Sequence, residues 1–339
     1  MICGSFSCKE TRVKNLLKSL LPVALLATAV TAGAQDFPNG KPITIIVPFA
    51  AGGPTDKVAR DLAEALRKPL GTTIIVDNAA GAGGSIGANK VAKAQPDGYT
   101  LLLHHISMAT MPTLVRNIPF KVESDFEYLG MINDVPMTVI GKPSIPAGNF
   151  KELTAWMQQN KGKINLGNAG IGSASHLCGM LFQHAVGVDM TAVPYKGTGP
   201  AMTDLMGGQI DLMCDQTTNT TGAIEAKKVK AYAVTTAHRL TVPALKDLPT
   251  LQESGLKGFE VTIWHGLYAP KGTPPAIQKK INEALKVALK DPDFIKREES
   301  LGAVVVHDNR VEPAEHKKFV LSEINKWSPL IKAANVYVE

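Results

Sequence analysis

Cysteine is scarce in this chain. Of 339 residues four are cysteine, and only Cys178 and Cys214 lie beyond residue 34. No CxxC and no HExxH occurs, and His104-His105 is the one adjacent pair among the histidines. The ligand spacings of a structural metal site are missing, so no metal is expected. After residue 34 no apolar run is long enough to cross a membrane. Positive charge is thin as well. The net charge is +6, but Lys9, Arg12, Lys14, Lys18 and Glu10 all fall in the first 34 residues, and without them it is +3. On that balance a nucleic acid or a membrane surface is not an expected partner.

Those first 34 residues carry the pattern of an export signal: a basic start, an apolar core at 20–30, and Ala32-Gly-Ala34 before Gln35. Cleavage after Ala34 is expected and leaves 305 residues. That length implies two domains. An apolar share of 45% with 19% charged residues is the balance of a globular protein. In an oxidising compartment Cys178 and Cys214 are free to pair, but they sit on different elements and the sequence does not supply their distance.

The chain is organised around Ile43-Thr-Ile-Ile-Val-Pro-Phe-Ala-Ala-Gly-Gly-Pro-Thr-Asp56. The β-branched run 43–47 suits a buried parallel strand, and Pro48 ends it. Gly52 and Gly53 let backbone approach a ligand, and Thr55 or Asp56 can cap the helix that follows. Val58, Ala59, Leu62, Ala63 and Leu66 recur at helical spacing. A strand, a glycine turn and a helix start together outline an anion site, or equally an ordinary strand-to-helix turn. Gly81-Ala-Gly-Gly-Ser-Ile-Gly87 follows the next strand, 73–76. Its GxGxxxG spacing and the lack of an acidic residue about 20 positions on argue against a nucleotide loop, and no cofactor is expected. A glycine turn shaping the edge of a cleft fits better. Strand 99–103 ends at His104-His105, where open α/β sheets meet their ligands.

The second half repeats the plan. Strand 164–167 leads into Asn168-Ala-Gly-Ile-Gly-Ser-Ala-Ser-His176 and a helix over 177–186, stopped by Gly187, with Ser173 or Ser175 as the N-cap. Further strands are expected at 191–195, 210–214 (closed by Asp215), 229–235 and 259–269, helices at 201–206 and from Thr273 to 289, and a last helix at 312–326. The polar Asn133-Asp134 inside the apolar stretch 128–139 marks an expected crossing between lobes, and the strand with Trp264-His265 marks the return, near Val261.

Several stretches together resemble the exported solute receptors of tripartite tricarboxylate transporters, the Bug family. They are Ile46-Val-Pro-Phe-Ala-Ala-Gly-Gly-Pro-Thr-Asp56, Val76-Asp-Asn-Ala-Ala-Gly-Ala-Gly-Gly84, Gln95-Pro-Asp-Gly-Tyr-Thr-Leu101 with Leu102, Gly172-Ser-Ala-Ser-His176, Pro194-Tyr-Lys-Gly197, Gly207-Gly-Gln-Ile-Asp211, Leu248-Pro-Thr-Leu-Gln-Glu-Ser-Gly255 and Trp264-His-Gly-Leu-Tyr-Ala-Pro270. The resemblance implies a two-lobed periplasmic binding protein fold, two Rossmann-like α/β domains around a central ligand cleft. Lobe 1 would be 35–134 plus 262–339, and lobe 2 would be 135–261. It implies a periplasmic monomer that binds a small di-, tri- or aromatic carboxylate without catalysis and hands it to membrane permease subunits.

The expected ligand-binding residues are Phe49, Gly52, Gly53, Thr55 and Asp56 in one turn, Gly170, Gly172, Ser173, Ser175 and His176 in the other, with His105 and Asp215. In the family the matching turns grip one carboxylate largely through backbone N–H groups. Neither turn holds Arg or Lys here, which suits helix dipoles better than an ion pair. Phe49 is expected to wall the site, and His105 and Trp264 to meet the rest of the ligand. Two other readings keep the same residues. A hydrolase would use Ser173 or Ser175 with His176, but adjacent residues at a helix start diverge and no orienting carboxylate is placed. A receptor for a membrane signalling kinase would share the fold.

Overall fold

The computed structural model describes residues 37–333; the expected export signal lies outside them. In chain order the strands and helices are β1 (Ile43–Val47), α1 (Pro54–Leu70), β2 (Ile74–Asn78), α2 (Ser85–Ala92), β3 (Thr100–His105), α3 (Ser107–Leu114), β4 (Phe126–Gly141), α4 (Phe150–Gln159), β5 (Asn165–Asn168), α5 (Ala174–Val186), β6 (Thr191–Pro194), α6 (Thr198–Met206), β7 (Leu212–Gln216), α7 (Thr217–Glu225), β8 (Lys230–Val234), β9 (Thr262–Pro270), α8 (Pro275–Ala288), α9 (Pro292–Glu299), β10 (Val304–Val305) and α10 (Pro313–Ala333). A short 3-10 turn, Ala82–Gly84, precedes α2.

Two parallel β–α–β sets sit at the ends of one mixed sheet ordered β2-β1-β3-β9-β4-β7-β5-β6. β1 pairs in parallel with β2 and β3, and β5 with β6 and β7. β4 joins the sets. From Phe126 to Pro136 it lies antiparallel to β9, and beyond that it pairs with β7 on one edge (Met137 to Gly141) and β8 on the other (Thr138 to Gly141). Asn133 and Asp134 are therefore interior residues of a 16-residue strand rather than a break in it, and β10 pairs with both. Asn133 tolerates full burial because its amide is used twice, by His265 and by Glu298.

The apolar stripe of α1 read from sequence is the buried one: Val58, Ala59, Leu62, Ala63 and Leu66 pack with Ile281 and Leu285 of α8 in one core. Gly71 closes α1 in the left-handed conformation (φ 65°), donating to Arg67 O at 2.9 Å, and Gly187 closes α5 likewise (φ 65°). Some expectations shift. His104 and His105 belong to β3 rather than following it, because their backbone pairs with Gly266 and His265 of β9. Helix α5 begins at Ala174, three residues before the expected start, and α6 at Thr198. The α7 helix was not legible at all: Thr217-Thr-Asn-Thr-Thr-Gly is poor helix material held by burial of Thr217, Thr218, Thr220 and Thr221.

Cys178 on α5 and Cys214 on β7 form a disulfide, with Cα atoms 5.9 Å apart and 36 residues of separation. In the chain-entropy account a loop of that size contributes about 4 kcal/mol. Reduction, or the Cys178→Ser/Cys214→Ser pair, is expected to lower the melting temperature by roughly 6 °C. Scanning calorimetry with and without reductant checks this, and coincident transitions would count against it.

Candidate ligand-binding site

The β1–α1 turn is built from a proline and two glycines. Gly52 has φ 80°, open to a residue without Cβ, and Gly53 is the N-cap, with Pro54 in the first helical position. Thr55 and Asp56 thus lie inside the first helical turn and neither is the cap. Asp56 turns back on its own loop. It accepts from Gly52 N at 3.0 Å, Arg60 Nε at 2.9 Å and Asn78 Nδ2 at 2.9 Å. Burial raises its pKa, but Arg60, Gly52 and Asn78 together outweigh that and hold the carboxyl below its usual range. Asn78 also donates to Phe49 O at 3.0 Å, so Asp56 and Asn78 brace the turn from behind.

The β5–α5 turn is arranged similarly. Asn168 Oδ1 accepts from Gly170 N at 2.9 Å, and Gly170 and Gly172 hold φ of 105° and 88°. Ser173 is the N-cap, accepting from His176 N at 3.2 Å, and Ser175 Oγ accepts from Ala169 N at 2.8 Å. Burial pushes His176 down to about 4, so the ring is neutral, and its Nδ1 accepts from Gly172 N at 3.4 Å. No serine–histidine pair of a hydrolase forms here. Gly83-Gly84-Ser85-Ile86-Gly87 fits the GxSxG elbow, yet no hydrogen bond joins Ser85 to nearby His104, whose Nε2 is buried without a partner among the described residues.

Phe49, Gly53, Pro54, Thr55, His105, Ala169, Ala174, Ser175, Thr198, Asp215 and Gln216 enclose one small cavity, with about 10 Å³ for the centre of a water molecule. That is close to the least that holds one water. Six of the sequence-predicted residues line it: Phe49, Gly53, Thr55, His105, Ser175 and Asp215. The others, Gly52, Asp56, Gly170, Gly172, Ser173 and His176, shape the turns behind it. Thr198 and Gln216 were missed; Gly197, a residue type common at a helix N-cap, was the available signal for the first, and nothing comparable marks Gln216. They bring two further helix starts, so the N-termini of α1, α5, α6 and α7 converge on the cavity, and no Lys or Arg lines it. Each such terminus carries roughly half a positive charge and unpaired N–H donors.

His105 stacks on Phe49 at 4.8 Å between centroids. Its Nδ1 accepts from Ser107 N at 3.2 Å, which leaves the hydrogen on Nε2. Burial pushes its pKa down to about 3, so it is a neutral donor. Behind it His265 packs edge-on at 5.8 Å and meets Asn133 Oδ1 at 2.8 Å, while Asn133 donates to Glu298 Oε2 at 2.7 Å. Trp264 is elsewhere. Its side chain packs on Phe319 and donates to Glu323, because successive β9 residues face opposite sides of the sheet. It lines a separate groove of about 800 Å³ beside α10 with Trp327, where Asp134, Glu260 and Glu323 lie alongside Lys257 and Lys326.

The segments on either side of the cavity are joined by hydrogen bonds to backbone carbonyls. Ala50 N donates to Lys196 O and Ser107 Oγ to Gly172 O, both at 2.9 Å. A Cβ on Gly83 would stand 2.0 Å from Ile171 O, and one on Gly199 would stand 2.9 Å from Ala51 O. Glycine is required at this seam because nothing wider fits.

The sequence profile of the tripartite tricarboxylate transporter family receptors matches residues 58–336. The chain belongs to this family. An Agrobacterium vitis protein described as the UPF0065 protein in the TAR-I ttuE-ttuC' intergenic region is 48% identical over 96% of this chain and 94% of its own. The solved periplasmic binding protein BugD is 51% identical, with TM-score 0.85, over 88% of this chain and 99% of its own. MatC of Rhodopseudomonas palustris, solved with bound malate, is 36% identical with TM-score 0.81, over 85% and 98%. A second R. palustris protein, solved with adipate, is 32% identical with TM-score 0.82, over 88% and 99%. The receptor therefore has the two-lobed α/β fold of periplasmic binding proteins, and it is a solute-binding protein rather than an enzyme. The two R. palustris neighbours were thus solved with carboxylates, and the matching family is that of receptors of tripartite tricarboxylate transporters.

Proposed function

We propose that this receptor is an exported periplasmic monomer that closes on a small di-, tri- or aromatic carboxylate and delivers it to the membrane subunits of a tripartite transporter. Lobe 1 comprises 35–134 and 262–339 and lobe 2 comprises 135–261, in keeping with the change of partners along β4 between Pro136 and Met137. One observation carries the reading: four helix N-termini meet at a cavity lined by no cationic side chain. Such a site neutralises an anion with fixed N–H dipoles. Gly53 and Thr55 on one side and Ala174 and Ser175 on the other supply the backbone donors, so one carboxylate completes its coordination only when both sides are present. Phe49, stacked on His105, walls the ligand, and His105 Nε2 donates to it.

A thermal-shift screen against mono-, di-, tri- and aromatic carboxylates tests this. A true ligand at 100 times its dissociation constant adds about 2.7 kcal/mol of stability. Its methyl ester or amide is expected to give no shift. A neutral sugar or a cationic peptide that outperforms every acid would refute the anion reading. Phe49→Ala is expected to weaken binding of the best acid at least about tenfold by calorimetry. Its melting temperature falls too, since Phe49 is also buried against His104 and His105. Unchanged affinity in the folded variant would make Phe49 a core residue only.

A further inference from the structure

Glu298 is a buried carboxyl outside the cavity but connected to it. It lies on α9 with no exposed surface. Asn133 Nδ2 donates to its Oε2 at 2.7 Å, and Asn133 Oδ1 meets His265 Nδ1 at 2.8 Å. An amide that gives its nitrogen to a carboxylate turns its oxygen to the imidazole, so His265 carries its hydrogen on Nδ1 and a lone pair on Nε2. That Nε2 is buried without a partner among the described residues, in a ring packed edge-on at 5.8 Å against His105 of the cavity wall. Few charged groups surround Glu298. From α1 come Lys57 and Asp61, which pair with each other at 3.0 Å, and Arg297 of α9 reaches Asp61 at 3.2 Å. Asp134 of β4 turns to the α10 face and pairs with Arg310, and β10 brings only Val304 and Val305. No ion pair reaches Glu298 among the described residues, and burial, with Asp61 close by, pushes its pKa up to about 7. Burial keeps His105 and His265 neutral there, so neither competes for the proton.

We propose that Glu298 is a proton-linked positioning residue: it takes up a proton as the receptor binds its anion, and its ionisation at higher pH weakens binding. This rests on the carboxylate reading above and adds a regulation to it. With Glu298 ionised, the Asn133 amide and the His265 ring are polarised in line, and their negative ends are directed at His105. Negative potential is then carried through a water-poor interior to the cavity wall, where it repels a bound carboxylate. Protonation of Glu298 removes the charge at the far end of this chain and leaves the contacts in place. By reciprocity, an anion that binds the protonated form better makes Glu298 hold its proton more tightly. Glu298 touches no ligand and acts only through Asn133, His265 and His105.

Calorimetry with succinate, malate and adipate between pH 6.5 and 8, where these acids are ionised, tests this. An acid that binds is expected to weaken by at least about threefold across that range. Paired runs in phosphate and Tris, whose heats of ionisation differ, count the protons taken up, and about half a proton per ligand is expected at pH 7.5. Asp215 is the other carboxyl that could take one up, but it titrates near 6, so its uptake would be larger at pH 6.5 than at 7.5. Glu298 gives the opposite order. Glu298→Gln keeps an oxygen for Asn133 and is expected to bind with level affinity from pH 6.5 to 8 and without uptake at 7.5. A melting curve establishes that the variant is folded, and the order of uptake in the unaltered protein decides if it is not. Uptake that survives in the folded variant, or that is larger at pH 6.5, overturns the proposal. Binding with level affinity and no uptake in the unaltered protein does so too and leaves the carboxylate reading intact. If none of these acids binds, both readings fall.

Discussion

Gly83→Ala is expected to leave the protein folded and to weaken carboxylate binding by about a hundredfold or more, equivalent to ~2.8 kcal/mol. Gly83 sits at φ 61°, ψ 13°, so alanine there costs about 1–2 kcal/mol wherever the turn happens to be. The larger effect is confined to the closed arrangement. A Cβ would stand 2.0 Å from the carbonyl oxygen of Ile171, which is backbone and cannot swing aside. The turn 81–84 must then draw away from the turn 170–172, and the helix starts on the two sides no longer reach one ligand. A variant that cannot populate the binding arrangement loses affinity by the fraction it cannot populate. Gly187→Ala is the control. It imposes the same left-handed strain (φ 65°) at the end of α5, but a Cβ there meets nothing within 4 Å. Calorimetry should find Gly187→Ala destabilised with ligand affinity intact. Tight binding by Gly83→Ala would mean that the seam is not part of the bound state.

The second large effect is acid sensitivity. Burial holds His104 and His265 well below 6.5, pushes His105 and His316 down to about 3, and brings His176 to about 4. All five are neutral in the fold, whereas the unfolded chain protonates them near 6.5. Between about pH 6.5 and 3 the unfolded chain binds more protons at these sites, so they make stability fall as pH falls. Two carboxyls oppose this. Burial raises Asp215 to about 6, and burial with nearby Asp61 raises Glu298 to about 7, so the fold keeps protons that the unfolded chain releases down to about pH 4. Five histidines against two carboxyls leave the unfolded chain about three protons ahead near pH 5, a slope of roughly 4 kcal/mol per pH unit. Total stabilities are about 5–15 kcal/mol, so the receptor is expected to unfold within one or two units below pH 5.5. Melting temperatures taken between pH 7 and 4 check this. A flat profile from pH 6.5 to 5 would show that the histidines are accessible or charged in the fold.

The sequence by itself determined the local units. Periodicity marked the buried face of α1, and Pro48, Gly52 and Gly53 marked the turn before it. Gly170, Gly172 and Ser173 marked a second turn of the same kind, and their order along the chain carried the family. These signals are local: a strand ends, a glycine takes positive φ, a hydroxyl caps a helix. What the sequence misplaced required contacts between distant residues. Thr55 and Asp56 have the side chains of caps, but the backbone bends at Gly53, so Asp56 braces Asn78 instead. Trp264 and His265 look equivalent in sequence, yet alternation along β9 sends one to α10 and the other behind His105. The stretch 217–225 has little helix propensity, and only its burial beneath β4 and against Leu301 makes it helical, which places Gln216 at the cavity. The pairing of Cys178 with Cys214 follows from α5 lying across β7. Tertiary structure alone decided that four helix starts converge and that Gly83 meets Ile171. Spacing along the chain reports which face of an element is buried, but the partner buried against it is chosen by packing across the whole fold.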